Sequence, residues 1–142
     1  PIQRARWFNL DNFSGPARLG TWIVNVKDLM QSCADLPVEL GPATKITRGA
    51  LSWQMAVRDD GSMPFDGAFP MLMQWPDGPH PAARMTDLGC RLEQMTVVHP
   101  KATEIQQMLQ GQLDMADIHF ETGDAMSIRA EIKTPNGIKL LK

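Results

Sequence analysis

The sequence predicts an α+β protein in which two βαβββ modules form a curved mixed sheet of about eight strands, with the helices on its outer face. Short runs of alternating apolar and polar residues, typical of half-buried strands, are interrupted twice by a short amphipathic helical segment. The same order of elements then occurs a second time along the chain, with Val26 matching Val98 and Leu36 matching Met108. This repeat of pattern, rather than of residues, predicts a duplicated fold.

The first module begins with the strand-forming run GTWIVNV at positions 20–26. Asp28 is suited to cap a helix, and Leu29, Cys33 and Leu36 lie on one face of that helix, which Pro37 ends. The runs ATKITRG, LSWQMAV and FPMLMQW predict three further strands. The first module therefore reads β-α-β-β-β.

The second module repeats this order. LEQMTVVHP predicts a strand, and Ile105, Met108 and Leu109 form the apolar face of a helix. DIHFE, MSIRAEI and GIKLL then predict three strands, with a turn at Gly123 and Asp124. We therefore divide the chain into an amino-terminal arm that packs on a surface (1–18), a first module (19–78), a linker (79–91) and a second module (92–142).

Composition excludes several classes of partner. The chain of 142 residues has 14 basic and 16 acidic side chains, so no excess of positive charge is present to bind nucleic acid or an anionic membrane. It has no apolar run of the length that spans a bilayer, and Cys33 and Cys90 lack the spacing of a metal site. We expect a soluble, cytoplasmic protein with reduced thiols and with neither nucleic-acid nor membrane partners.

The polar residues of the strands indicate where a ligand would bind. Each helix has to bury its apolar stripe against one face of the strands. Strict alternation then places a set of polar side chains on the opposite face, which we expect to line a cleft for a small molecule. The set comprises Ser52, Gln54, Ser127, Arg129 and Glu131.

The duplicated βαβββ order resembles the vicinal oxygen chelate superfamily of glyoxalase, bleomycin-resistance and extradiol dioxygenase proteins. The stretch LSWQMAVRDDGSMPFDGAFPMLMQWPDGPHPAARMTDLGCRL is similar, more specifically, to sequences of the bacterial glyoxalase-like domain family. The resemblance extends from Arg6 to Leu141 and is most specific between Pro64 and Leu92. It implies the paired-module fold already expected from the pattern.

The resemblance also implies where a metal would bind. Active members of the superfamily hold a divalent ion through His, Gln or Glu on the first and last strands of each module, where the ion acts as a Lewis acid. The matching positions here hold Thr21, Gln74 and Glu93, and the last strand of the second module offers no ligand. Gln74 and Glu93 are weak metal candidates, so a divalent metal stays open but is not favoured, and the cofactor is unknown.

The substrate-binding candidates combine the polar strand face with the linker. His80 and Arg84 lie in the segment that most resembles the family, and loops on a rigid scaffold often carry function. An arginine there would bind a carboxylate through two hydrogen bonds. Each has a structural alternative, since His80 can bond to the backbone, Arg84 can form a surface ion pair, and Arg129 can pair with Glu131. The full set is Gln54, Gln74, His80, Arg84, Arg129 and Glu131.

Four functions follow as hypotheses. The first is a glyoxalase-like protein that binds a small polar metabolite in the cleft of the sheet, with a degenerate metal site and catalysis left open. The second is a metal-dependent lyase, isomerase or dioxygenase completed by a partner chain or by the upstream module that relatives carry before the segment beginning here at Pro1. The third uses Pro1 as a general base, as in tautomerases. The fourth is a non-catalytic module, and an open strand edge favours a homodimer.

Overall fold

The computed structural model describes residues 5–142, and Pro1, with the tautomerase hypothesis that rests on it, lies outside them. The two helices and eight strands of residues 5–142 confirm the α+β class. The elements are β1 (Ile23–Asn25), α1 (Leu29–Asp35), β2 (Ala43–Arg48), β3 (Leu51–Ala56), β4 (Met71–Gln74), β5 (Arg91–Val98), α2 (Ala102–Leu109), β6 (Ile118–Glu121), β7 (Ser127–Thr134) and β8 (Gly137–Leu141). No helix among residues 5–142 is both long enough and apolar enough to cross a membrane.

The strands form two mixed four-stranded sheets. The first has the order β1-β4-β3-β2, with β1 parallel to the last strand of its module. The second has the order β6-β5-β7-β8, with β5 parallel to the strand that directly follows α2. The two modules thus share the order of elements along the chain but not the order of strands in the sheet. The repeat therefore extends to the order of elements and not to the pairing of the strands.

One hydrophobic core joins the two sheets to the two helices. Helix α1 begins after Asp28, whose carboxylate accepts a hydrogen bond from the Gln31 N–H at 3.0 Å. Leu29 of α1 and Ile105 of α2 are fully buried in the same apolar cluster. The rings of Trp22, next to β1, and Phe120 of β6 lie 6.3 Å apart in that cluster, so the sheets also contact each other.

In the second sheet the polar face lies where alternation predicts it. Ile128 and Ala130 of β7 belong to the core that contains α2. Their neighbours Arg129 and Glu131 therefore point to the face away from the helix. That part of the prediction is confirmed.

In the first sheet the two faces are exchanged. Ala56 of β3 and Leu72 of β4 pack in the core with Leu29 of α1, which places Ser52, Gln54 and Gln74 on the helix side by alternation. Trp53, Met55 and Met71 lie on the opposite side in a second apolar cluster. The prediction that Ser52 and Gln54 face away from the helix is wrong, because Ala56, on the same face of β3 as Ser52 and Gln54, packs in the core with Leu29 of α1.

The amino-terminal arm covers this second apolar cluster. Trp7 and Phe8 pack against it, and the Asn9 N–H donates a hydrogen bond to the Gly61 carbonyl oxygen at 2.9 Å. Trp7, Phe8 and Asn9 of the arm therefore contact the first module. Both faces of the first sheet are consequently covered, the first by a helix and the second by the arm.

Candidate functional site

Three adjoining cavities surround the residue that follows β4. They have volumes of about 250, 170 and 270 Å³, and all three are lined by Trp75 and Pro76. The Trp75 N–H donates a hydrogen bond to the Asn25 side-chain oxygen at 3.2 Å, which fixes the chain as it leaves the sheet. We call these three cavities together the Trp75 groove.

Aromatic rings form the apolar part of the groove. The rings of Trp53 and Trp75 are 5.1 Å apart with their planes at 45°, and the His80 ring meets Trp75 edge-on at 5.8 Å. These distances are typical of favourable aromatic contacts. The indoles thus give a ligand a flat, rigid surface.

A row of polar side chains crosses the sheet beside these rings. Lys45, Gln54 and Gln74 occupy paired positions on β2, β3 and β4 and line one of the cavities. The Leu29 N–H donates to the Gln74 Oε1 at 2.9 Å. Because that oxygen is occupied, the amide nitrogen of Gln74 is the group that remains to donate a hydrogen bond.

The linker adds His80 and Arg84 to the groove. The His80 Nδ1 accepts a hydrogen bond from the Ala82 N–H at 3.1 Å, so the neutral ring carries its proton on Nε2 and presents a donor there. Arg84 lines the cavity beside Ser52. The structure therefore brings together four of the predicted residues, namely Gln54, Gln74, His80 and Arg84.

The charges in the groove are mostly positive. Within residues 5–142, neither Lys45 nor Arg84 lies within ion-pair distance of a carboxylate. Of the described residues that line the cavities, Asp77 is the one with an acidic side chain, whereas Lys27, Lys45 and Arg84 are basic. Such an excess of donors and cations favours an anionic ligand.

The linker beyond the groove has its own ion pair. Arg91 donates to the Asp87 carboxylate at 2.6 and 2.9 Å. These hydrogen bonds, with a further one from the Gly89 N–H, hold the pKa of Asp87 well below its usual range. Arg91 is therefore already paired with a carboxylate, whereas Arg84 has no carboxylate within ion-pair distance in the described part of the chain.

Arg129 and Glu131 lie on the second sheet, away from these cavities. Arg129 donates two hydrogen bonds to Glu121, at 2.7 and 2.8 Å, rather than pairing with Glu131. Glu131 is exposed on β7 opposite Gln94. Their predicted role in binding a substrate stays a prediction.

The three positions implied for a metal do not fit a shared ion. The register of β1 and β4 separates Thr21 from Gln74 by about five residue positions, which is roughly 16 Å along the strand direction. The two side chains also lie on opposite faces of the sheet. Glu93 is exposed in the irregular stretch of β5 between Leu92 and Gln94. The described part of the chain holds no group of three or more His, Cys, Asp and Glu side chains that could bind a metal.

Sequence reasoning missed Lys45. The alternation of ATKITR separates Lys45 from Ile46, but the pairing of β2 with β3, which sets Lys45 beside Gln54, is a long-range feature. The run of turn residues after Trp75 is the signal that could have located the groove. It predicts a loop at the edge of the sheet where β1, β2 and β4 end.

Comparison with families of known proteins gives a match. The family model of the glyoxalase-like domain, which belongs to the vicinal oxygen chelate superfamily, matches residues 1–113. No curated protein and no solved structure matches the chain. The matched range contains every residue that lines the Trp75 groove.

Proposed function

The chain belongs to the glyoxalase-like domain family, and from that premise we propose that it binds a small organic acid in the Trp75 groove. The carboxylate of the ligand binds Lys45 or Arg84, and its flat or apolar part lies against Trp75. This replaces the expected cleft between the two polar strand faces, because those faces point to different sides of their sheets.

The observation that carries the proposal is the combination of an indole surface with two cations, Lys45 and Arg84, that pair with no carboxylate of residues 5–142. Arginine binds carboxylates through two parallel hydrogen bonds, and a hydrogen bond to a charged group is stronger than a neutral one. The amides of Gln54 and Gln74 and the Nε2–H of His80 add uncharged donors. Pockets of this kind, in which apolar walls surround a few polar groups, are typical of small-molecule sites.

The chain's own residues bind and orient the ligand in this proposal. Lys45 and Arg84 lie in different cavities of the groove, joined by Ser52, Trp75 and Pro76. A ligand with two anionic groups would engage both cations, whereas a monocarboxylate would engage one. The proposal concerns binding and orientation, and it assigns no step to a metal because the donor set does not fit one.

Isothermal titration with benzoate and with its neutral isostere benzamide tests the proposal. We expect benzoate to bind more tightly, and Lys45→Gln or Arg84→Gln to weaken it about 10- to 100-fold, since the lost hydrogen bonds involve charged groups. Lys133→Gln, at an exposed position of β7 outside the groove, is the matched control and should leave binding unchanged. Equal affinities for benzoate and benzamide, or benzoate binding unaffected by both groove variants, would refute the proposal.

We also propose that the chain forms a homodimer through β8. Among the strands of residues 5–142, this strand pairs only with β7, and it is exposed along its whole length. Ile138, Leu140 and Leu141 are each about half exposed, at 55%, 49% and 50%. An edge strand with unpaired backbone groups and exposed apolar side chains favours pairing with a second copy of itself.

A further inference from the structure

A cavity separate from the Trp75 groove lies between the amino-terminal arm and the junction of the two sheets. Its volume is about 240 Å³, and its walls include Asn9 and Arg18 from the arm, Asp66 from the turn before β4, and Met126 from the start of β7. None of these residues lines the Trp75 groove. We call it the arm cavity.

The backbone around the arm cavity is strained. Among residues 5–142, four residues other than glycine have a positive φ: Phe8 (60°), Asn9 (53°), Phe65 (50°) and Asp66 (56°). Phe8, Asn9 and Asp66 line the arm cavity, and Phe65 directly precedes Asp66. Residues held in this region of φ and ψ are costly and cluster at sites that bind ligands. Their convergence on one small cavity distinguishes it from the rest of the surface.

The arm cavity contains one cation and one anion that are not paired with each other. The Arg18 guanidinium lies 4.5 Å from the centre of the Phe13 ring and donates to the Ser14 carbonyl oxygen at 3.0 Å. Within the described residues it meets no carboxylate at ion-pair distance. Arg18 therefore retains donors for a ligand carboxylate.

Among residues 5–142, the basic group within ion-pair distance of the Asp66 carboxylate is the buried ring of His99. The His99 Nδ1 accepts from the Lys101 N–H at 3.0 Å, so the proton of the neutral ring is on Nε2, which lies 3.9 Å from the Asp66 Oδ2. That distance is too long for a direct hydrogen bond. The carboxylate is largely exposed to the cavity and to solvent, and it retains acceptor capacity for an ammonium group.

We infer that the arm cavity binds a free amino acid with an apolar side chain. Its carboxylate pairs with Arg18, its ammonium group with Asp66, and its side chain contacts Phe8 and Met126. A zwitterion satisfies both unpaired charges at once, which a simple acid or a simple amine cannot do. The inference uses residues separate from the Trp75 groove, so either site can fail without the other.

Titration with L-leucine and two truncated analogues tests this site. 4-Methylpentanoate keeps the carboxylate and lacks the ammonium group, and 3-methylbutylamine keeps the amine and lacks the carboxylate. We expect leucine to bind at least about tenfold more tightly than either analogue, because each loses a hydrogen-bonded charge pair. Absence of leucine binding, or equal affinity for all three, would overturn the inference.

Two variants assign the charges to their residues. Asp66→Asn removes the charge but keeps a residue that adopts the left-handed conformation readily, so the turn is retained. It should weaken leucine about tenfold and leave 4-methylpentanoate unchanged, whereas Arg18→Gln should weaken both. Asp124→Asn and Arg48→Gln, at exposed positions outside the cavity, should change neither. If a control variant lost as much affinity for leucine as Asp66→Asn does, the assignment of the charges would be contradicted.

Discussion

Gly67 is the position at which the structure makes the sharpest prediction about stability. It has a φ of +98°, and a Cβ added there would overlap the Gly20 carbonyl oxygen and lie 3.1 Å from the Met126 Cε. Gly20 precedes β1 and Met126 precedes β7, so this close approach holds the turn before β4 against both sheets. Gly67→Ala should therefore destabilise the whole protein rather than one loop.

The size of the effect follows from two contributions. A residue with a Cβ in a left-handed conformation costs about 1–2 kcal/mol, and forcing an extra carbon into a packed site costs about 1–3 kcal/mol. Together they lower the free energy of unfolding by about 2–5 kcal/mol. Gly137 is the matched control, since its φ is +94° and no heavy atom lies within 4 Å of the added Cβ. Gly137→Ala should thus lose only about 1–2 kcal/mol.

Equilibrium unfolding in urea measures both losses. The free energy of unfolding is taken from the midpoint and slope of each curve, with an unchanged slope showing that the variants unfold between the same states. The difference between the two variants isolates the close approach, because the backbone cost is common to both. If Gly67→Ala and Gly137→Ala are equally destabilised, the contact of the turn with Gly20 is not as the structure describes it.

Two further predictions concern the thiols and the edge strand. Burial raises the pKa of the Cys33 thiol, and the nearby charge of Glu39 raises it further. At pH 8 the exposed Cys90 should therefore react with a disulfide reagent before Cys33 does, and Cys90→Ser should remove this fast phase. A single reaction phase in the unaltered protein would contradict this prediction. Leu140→Lys on β8 should convert the proposed dimer to a monomer, as measured by size exclusion with light scattering. Leu88→Lys in the linker, where the side chain is 73% exposed, is the control and should leave the dimer intact. A protein that is monomeric at high concentration would refute pairing through β8.

Local features of the fold were predictable from the sequence because they depend on neighbouring residues. The apolar spacing of Leu29, Cys33 and Leu36 with a capping Asp28 predicts α1, which begins at Leu29 and ends at Asp35. The alternation in LSWQMAV predicts β3, which extends from Leu51 to Ala56. Each signal requires only a few residues and holds wherever the segment packs.

The orientation of β3 could not be predicted in the same way. Alternation sorts its residues into Leu51, Trp53 and Met55 on one face and Ser52, Gln54 and Ala56 on the other, but it does not say which face meets the helix. In β7 the choice is clear, because the face opposite the core carries Arg129 and Glu131. In β3 neither face is charged, and the arm provides a second apolar partner that covers the larger side chains.

This exchange of faces explains why the structure contains two separate candidate sites instead of one shared cleft. Alignment of the two modules matches Ser52 with Ser127, yet Ser52 lies on the helix side of β3 and Ser127 on the opposite side of β7. Because side chains alternate between the two faces of a strand, a shift of one residue in the alignment moves every side chain to the other face of the sheet. Two modules that differ by such a shift therefore present their matching polar residues to opposite faces. Gln54 and Gln74 therefore line the same groove as the linker residues His80 and Arg84, while Arg129 pairs with Glu121 on its own sheet. Residues of the arm and of the strained turn at Asp66 lie at the junction between the sheets, and they line the arm cavity there.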